Sequence, residues 1–231
     1  GNAGDDLILG AAAADTLYGG VGNDALEGNE GNDLAYGGNG DDNVGGFTGR
    51  DTLYGGAGND SLSVYGVGVD SIDGGVGNDS LYADYGPQTT DMSFVLHEGQ
   101  NTVLADGSVV TGVENFTIVT GSGNDSLTLA VSQAGQHGWY DQGGTDRATL
   151  DFSSWTDRVT NIRGFTTGGP QDAFLGASDG LRGIDLRGVE SLFLTLGSGN
   201  DYVQGQWGQN RIFGNAGDDL ILGAAAADTL Y

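Results

Sequence analysis

Apolar residues return at every ninth position from the start of the chain: Ile8, Leu17, Leu26, Ala35, Val44, Leu53 and Leu62. After a one-residue slip through Val64 and Tyr65 the beat resumes at Ile72 and Leu81. Each unit otherwise holds glycine and Asx at fixed offsets, as in GGVGNDALE (19–27) and GGAGNDSLS (55–63). Glycine accepts positive φ and Asn or Asp tolerates it, so the first six residues of a unit favour a turn. The last three, with the apolar residue at their centre, make a short strand whose middle side chain points inward. Two strands and two turns close a coil of 18 residues. Successive coils then stack about 4.8 Å apart, the spacing of neighbouring strands.

The same register places aspartate at the sixth position of every unit: Asp6, Asp15, Asp24, Asp33, Asp42, Asp51, Asp60, Asp70 and Asp79. Coiling sets aspartates 18 apart above one another on one edge, where like charges repel. One unit departs from the pattern: GAAAADTLY (10–18) has Ala11 and Ala13 in glycine positions, so a site using that turn is expected to be weak or empty.

Residues 1–18 recur without change as 214–231, which predicts a period of 213 residues cut from an array of near-identical copies; artificial duplication is the competing explanation. The register holds across the junction, with Asp201, Asn210, Asp219 and Asp228 in steps of nine and Asn210 removing one charge. Ninth-position aromatics then fall 18 apart, Phe213 followed by Tyr18, Tyr36 and Tyr54 of the next copy, and predict a ladder on one sheet. Such a ladder serves stability, lateral association or sugar contact.

By regularity the chain divides into 1–82, a regular nonapeptide roll; 83–195, wider irregular coils with degenerate repeats; and 196–231, regular again. In the middle, GVENFTIVTGSGND (112–125) and GVESLFLTLGSGND (188–201) align and supply Asp125 and Asp201. Pro87 and Pro170 fall in loop-like stretches. Trp139, Trp155 and Trp207 are expected in packing roles, and His97 and His137 lack any partner spacing for a metal or catalytic site.

Composition sharpens this picture. Glycine supplies 46 residues without the Gly-X-Y period or the proline of collagen, so the glycines are positional. Asp plus Glu number 32 against seven arginines, a net charge of −25 that repels nucleic acid and anionic membranes. There is no cysteine, which leaves hard cations with oxygen ligands. No apolar run reaches the length of a membrane span or resembles a signal segment, and the first residue is not Met, so the chain reads as part of something longer. Carboxylate pairs occur throughout, so their proximity carries no catalytic information, and a GxSxG hydrolase elbow is absent. The chain is expected not to be an enzyme.

The units resemble the repeat-in-toxin (RTX) nonapeptide G-G-x-G-x-D-x-U-x, strongly over the first 82 and last 36 residues. YDQGGTDRATLDFS (140–153) is similar to the worn repeats of large RTX proteins and supplies Asp146. The resemblance implies multiple calcium ions between adjacent turns, held by carboxylates from both and by turn carbonyls. With this, the expected fold is an all-β, right-handed parallel β-roll or β-solenoid, continuous along the chain. The candidate calcium ligands are the nine aspartates above with Asp125, Asp146, Asp201, Asp219 and Asp228; capping of turns by these Asx residues is the plainer alternative. The resemblance also implies type I secretion by a Gram-negative bacterium and folding in external calcium. The expected role is an extracellular filament, surface stalk or biofilm-matrix unit, partnered by its own copies in tandem or head to tail. Two alternatives stand beside it: a calcium-triggered C-terminal module of a secreted enzyme or toxin, and an adhesin that binds cell-surface polysaccharide through the tyrosine ladder.

Overall fold

The nine-residue beat is realised as parallel strands that wind in two alternating series. A computed structural model describes residues 1–66, 68–132, 134–161, 173–177 and 183–231, and among these there are strands and no helix. Pro170 lies outside the described residues. The chain forms two compact units, one of 1–87 with 97–118 and one of 88–96 with 119–231.

In the first unit the regular strands are β1 (Leu7–Ala12), β2 (Thr16–Val21), β3 (Ala25–Glu30), β4 (Leu34–Asn39), β5 (Asn43–Thr48), β6 (Thr52–Ala57), β7 (Ser61–Tyr65), β8 (Ser71–Val76) and β9 (Ser80–Asp84). Odd strands pair in the order β1, β3, β5, β7, β9, and even strands in the order β2, β4, β6, β8, all parallel. Paired residues such as Leu7 with Ala25 and Leu17 with Ala35 are one 18-residue coil apart, as the repeat predicts. The slip appears as a change of register, where Phe47 pairs with Val64 after Gly45 pairs with Ser63. Beyond β8 the even sheet continues into Val109–Thr111 and an antiparallel Thr102–Val103.

The core is a single file of eighth-position side chains in each sheet. Leu26, Val44, Leu62 and Leu81 line the odd sheet, and Leu17, Ala35, Leu53 and Ile72 the even one, all buried. One apolar side chain per nine residues is a thin core for these regular coils, and other interactions must hold them together.

The strands are longer than the predicted three residues. Most of β1 to β9 have six, running through positions seven to nine and the first three of the next unit, so the turn shrinks to three residues. The ladder skips the first position, passing from Leu9 opposite Glu27 to Ala11 opposite Asn29. Positive φ at the second position, 121° at Gly38 and 120° at Gly56, bends the strand there without ending its pairing. The first-position glycine thus faces inward beside the apolar residue, in the burial alternation of β4 and β6. At the alanine-bearing turn the expected strain is present: Ala11 has φ 81° and Ala13 φ 119°.

The ninth-position tyrosines stack. Tyr18 and Tyr36 have ring centroids 5.1 Å apart, and Tyr36 and Tyr54 4.8 Å, each pair within 3° of parallel. Phe213 stacks on Tyr231 at 4.4 Å, and Tyr231 is the second copy of Tyr18. A second ladder, not foreseen, runs on the odd sheet from Phe47 to Tyr65 at 4.9 Å and on to Tyr82 at 5.8 Å.

In the second unit, strands Ser93–Leu96, Ser126–Ala130, Arg147–Asp151, Ser191–Thr195, Arg211–Phe213 and Thr229–Leu230 form one parallel sheet. The other holds Gln136–Tyr140, Gly183–Arg187, Tyr202–Gln204 and Leu220–Leu222, with Ala173–Gly176 antiparallel to Gly183–Arg187. Trp139 and Trp155 are buried here, donating to Thr120 Oγ1 at 2.9 Å and to the Val131 carbonyl at 2.8 Å, whereas Trp207 is exposed.

Candidate metal centres

Each sixth-position aspartate with a coil before it lends one carboxylate oxygen to that coil. On one edge of the first unit the backbone N–H of Asp6 donates to Asp24 Oδ1 at 2.8 Å, Asp24 to Asp42 at 2.7 Å, Asp42 to Asp60 at 2.8 Å and Asp60 to Asp79 at 2.8 Å. On the opposite edge Asp15 donates to Asp33 at 2.8 Å, Asp33 to Asp51 at 2.9 Å and Asp51 to Asp70 at 2.8 Å. Oδ1 is thus spent on the backbone of the preceding coil, 18 or 19 residues away, rather than on capping the aspartate's own turn. The Oδ2 atoms of Asp15, Asp24, Asp33, Asp42, Asp51, Asp60 and Asp79 are buried without a hydrogen-bond partner. Leaving such a group unsatisfied costs about 1–3 kcal/mol, more when it is charged.

These oxygens lie in a cradle made by the first-position glycine. A methyl group on Gly37 would come within 2.5 Å of Asp42 Oδ2 and 2.6 Å of the Gly55 carbonyl oxygen, which belongs to the next coil. Gly55, Asp60 and the Gly74 carbonyl repeat the arrangement. A carboxylate and a carbonyl from successive coils therefore converge where a side chain would otherwise be. Burial raises the Asp42, Asp51 and Asp79 carboxyls above the usual range and pushes those of Asp60 and Asp70 up to about 6; the carboxylate one coil away adds to the rise. Among the described residues these rows carry stacked negative charge that a cation would relieve.

Asn210 displays what such a cation would touch. Its Oδ1 accepts the N–H groups of Leu192 and Gln206, each at 3.0 Å, which fixes the amide. Its Nδ2 then faces the Gln206 carbonyl at 2.6 Å, the Gly208 carbonyl at 2.8 Å and Asp228 Oδ1 at 2.9 Å. Those acceptors are the second- and fourth-position carbonyls and the carboxylate of the next coil. Where aspartate replaces this amide the same set becomes all oxygen with no donor, a ligand field suited to a hard ion such as calcium.

In the second unit Asp125 Oδ1 accepts from Met92 N–H at 2.7 Å, and Asp125 N–H donates to Asp146 Oδ1 at 2.5 Å. Asp201 accepts from Val159 at 2.7 Å and donates to Asp219 at 2.9 Å, while Asn210 donates to Asp228 at 2.9 Å. Asp125, Asp146 and Asp201 each keep a buried, unpartnered Oδ2. Asp219 and Asp228 are half-buried, as are Asp6 and Asp15.

Four residues of this system escaped the sequence reading. Glu114 Oε2 accepts the Asp79 N–H at 2.8 Å, and Glu190 Oε2 accepts that of Asp146 at 2.8 Å. Each glutamate thus fills the slot of a sixth-position aspartate by means of a longer side chain. They share the third place of the two aligned GVE segments, and that identity was the available signal. Ser108 ends the other row, accepting from Asp70 N–H and donating to the Gly68 carbonyl, both at 2.9 Å. Asp141 stands beside Asp125 and Asp146. The fifth-position residues build an outer ladder of their own, in which Asp41 accepts from Asn59 N–H and donates to Asn23. Asp41 and Asp218 are exposed. His97 is exposed, and His137 is buried within a strand.

The profile of the RTX calcium-binding nonapeptide repeat matches residues 1–26, 18–46, 27–62, 65–86 and 195–230, just over half of the chain. No curated protein matches it.

Proposed function

Because the chain belongs to the RTX calcium-binding nonapeptide-repeat family, whose repeats bind calcium ions, we propose that it is an extracellular structural unit that folds on calcium after secretion and forms part of a filament or surface stalk. The observation that carries the reading is the repeated Oδ2, buried, unpartnered and set beside a carbonyl of the next coil. Asp24, Asp33, Asp42, Asp51, Asp60 and Asp79 are the proposed central ligands; Asp6, Asp15, Asp70, Asp125, Asp146, Asp201, Asp219 and Asp228 extend the rows. Bound calcium would supply the positive charge these rows lack. The residues themselves set its place, by turning one carboxylate oxygen to the backbone of the preceding coil and the other into the cradle.

The mechanical role is supported by the 213-residue period. Tyr202 pairs with Leu220 and Arg211 with Thr229, and Leu220 and Thr229 repeat Leu7 and Thr16. In this reading the contact between one period and the next lies within the second unit. Among the described residues no helix is long and apolar enough to cross a membrane. In this reading the chain has no catalytic task.

Circular dichroism and light scattering during a calcium titration from chelator, with magnesium as control, test the proposal. A calcium-specific gain of β signal followed by elongated assemblies is expected. Full folding in chelator would refute the calcium mechanism, and folding without assembly would refute the filament. A second reading rests on the parallel Tyr18–Tyr36–Tyr54 ladder, exposed at Tyr18 and Tyr54 and half-buried at Tyr36, a surface that suits the flat face of a sugar. Adhesion to polysaccharide that survives replacement of Tyr36 and Tyr54 by serine would exclude it.

A further inference from the structure

Asp141 stands five residues before Asp146, the place that Gly37 holds before Asp42 and Gly55 before Asp60. In the regular coils that place is empty of side chain and receives the Oδ2 of the following aspartate. Here the sequence puts a third carboxylate into the cradle. Ligand oxygens of Asp125, Asp141 and Asp146 all lie within 4.8 Å of one another. Two of these residues point an unsatisfied atom into the cluster: Asp125 is 2% exposed and Asp146 0%, and the Oδ2 of each is buried without a partner.

Asp141 is held in this position rather than free to swing outward. Its Oδ1 accepts the Thr120 hydroxyl at 2.7 Å, and Thr120 Oγ1 accepts the Trp139 indole N–H at 2.9 Å. Its Oδ2 accepts the Gly143 N–H at 2.6 Å. Thr120 occupies the same cradle place one coil earlier, five residues before Asp125, so this pair of coils replaces both small residues with side chains that fix the carboxylate. Glu190 adds a fourth acid, accepting from Asp146 N–H. Burial raises the carboxyls of Asp146, Asp141 and Glu190, and their mutual charge raises those of Asp146 and Glu190 further.

We propose that Asp125, Asp141 and Asp146, with Glu190 beside them, form a calcium site distinct from those of the regular rows, of higher negative charge and filled before them. The inference rests on the calcium reading of the chain and adds an order of filling to it. Ligand charge count moves calcium affinity across decades, and in that count this site exceeds the regular ones, while Thr120 and Gly143 hold its extra carboxylate in place.

Trp139 supplies the readout, since two hydrogen bonds link its indole to Asp141. Terbium(III) titrated into the full chain, excited through tryptophan, should give sensitised emission within the first equivalent, and calcium rather than magnesium should quench it. Trp139→Phe should remove that early emission. Asp141→Gly restores the residue of the regular repeat and should weaken the first site about tenfold or more, as loss of a carboxylate ligand does. Asp141→Glu should keep it, and Asp42→Asn in a regular row should leave the first equivalent unchanged. If Asp141→Gly titrates like the parent chain, or if tryptophan-sensitised emission rises only after most sites are filled, the inference is overturned. If neither the parent nor the variant takes up terbium or calcium, the calcium reading itself falls.

Discussion

Replacing Asn210 with aspartate turns a hydrogen-bond donor into one more acceptor within a ring of acceptors. The Nδ2 group now serves the Gln206 and Gly208 carbonyls and Asp228 Oδ1, at 2.6, 2.8 and 2.9 Å. Asn210 is 3% exposed, so water does not replace the lost donor freely. A buried charge left without a partner costs about 3–5 kcal/mol, and that is the destabilisation expected of Asn210→Asp at the lowest calcium that keeps the parent chain folded. Saturating calcium should reverse most of it. An ion bound only by the folded state contributes about 2.7 kcal/mol when its concentration is 100 times its dissociation constant, and about 4.1 kcal/mol at 1,000 times. Urea denaturation at both calcium levels measures the two differences, and equilibrium dialysis should find one more calcium per chain. Equal destabilisation at low and high calcium, with no extra ion bound, would refute the assignment of these acceptors as a cation-binding set.

Further outcomes follow from the same geometry. In chelator, acid should partly replace calcium. Burial lifts Asp60 and Asp70 to about 6 from an unfolded value of 3.8, so their protonation favours the folded chain; this contribution is complete below 3.8 and lost as pH rises through about 6. Circular dichroism in chelator should therefore show β signal growing as pH falls across that window, and a flat profile would contradict the stacked-carboxylate account. With calcium present the trend inverts, because ligand carboxylates must be deprotonated to bind. Ala11→Gly and Ala13→Gly relieve φ values of 81° and 119° and should each raise stability by about 1 kcal/mol, read as a higher melting temperature in calcium. Gly37→Ala places a methyl group 2.5 Å from Asp42 Oδ2 and should cost about 1–3 kcal/mol together with one bound ion.

The regular rows were legible because every coil repeats the same nine chemical choices. Leu26, Asp24 and Tyr36 could each be placed on a face by counting alone. The extent of the strands was not legible, since glycine at the first two positions reads as a turn; it is the ladder's skip past Gly10 and Gly28 that lets pairing continue around the bend. In the middle of the chain the coils lengthen, with partners 33, 21 and 44 residues apart at Met92–Asp125, Asp125–Asp146 and Asp146–Glu190. Counting by nines cannot bring Glu190 to Asp146 across such insertions, nor Ser108 to Asp70. Asp141 was hidden for a different reason. It occupies a glycine position, and a search for conserved spacing passes over a residue that breaks the pattern.

In the coil-to-coil bonds of the aspartate rows, each backbone N–H reaches forward to the carboxylate of the next coil and never back. The solenoid is therefore a one-way thread. A coil's sixth-position N–H finds its acceptor on the coil that follows, and its fifth-position N–H finds one on the coil before, so the two faces of every coil are keyed differently. If copies join as proposed, they would continue each other in a single sense, tail onto head, and a fibre so built would have two unlike ends.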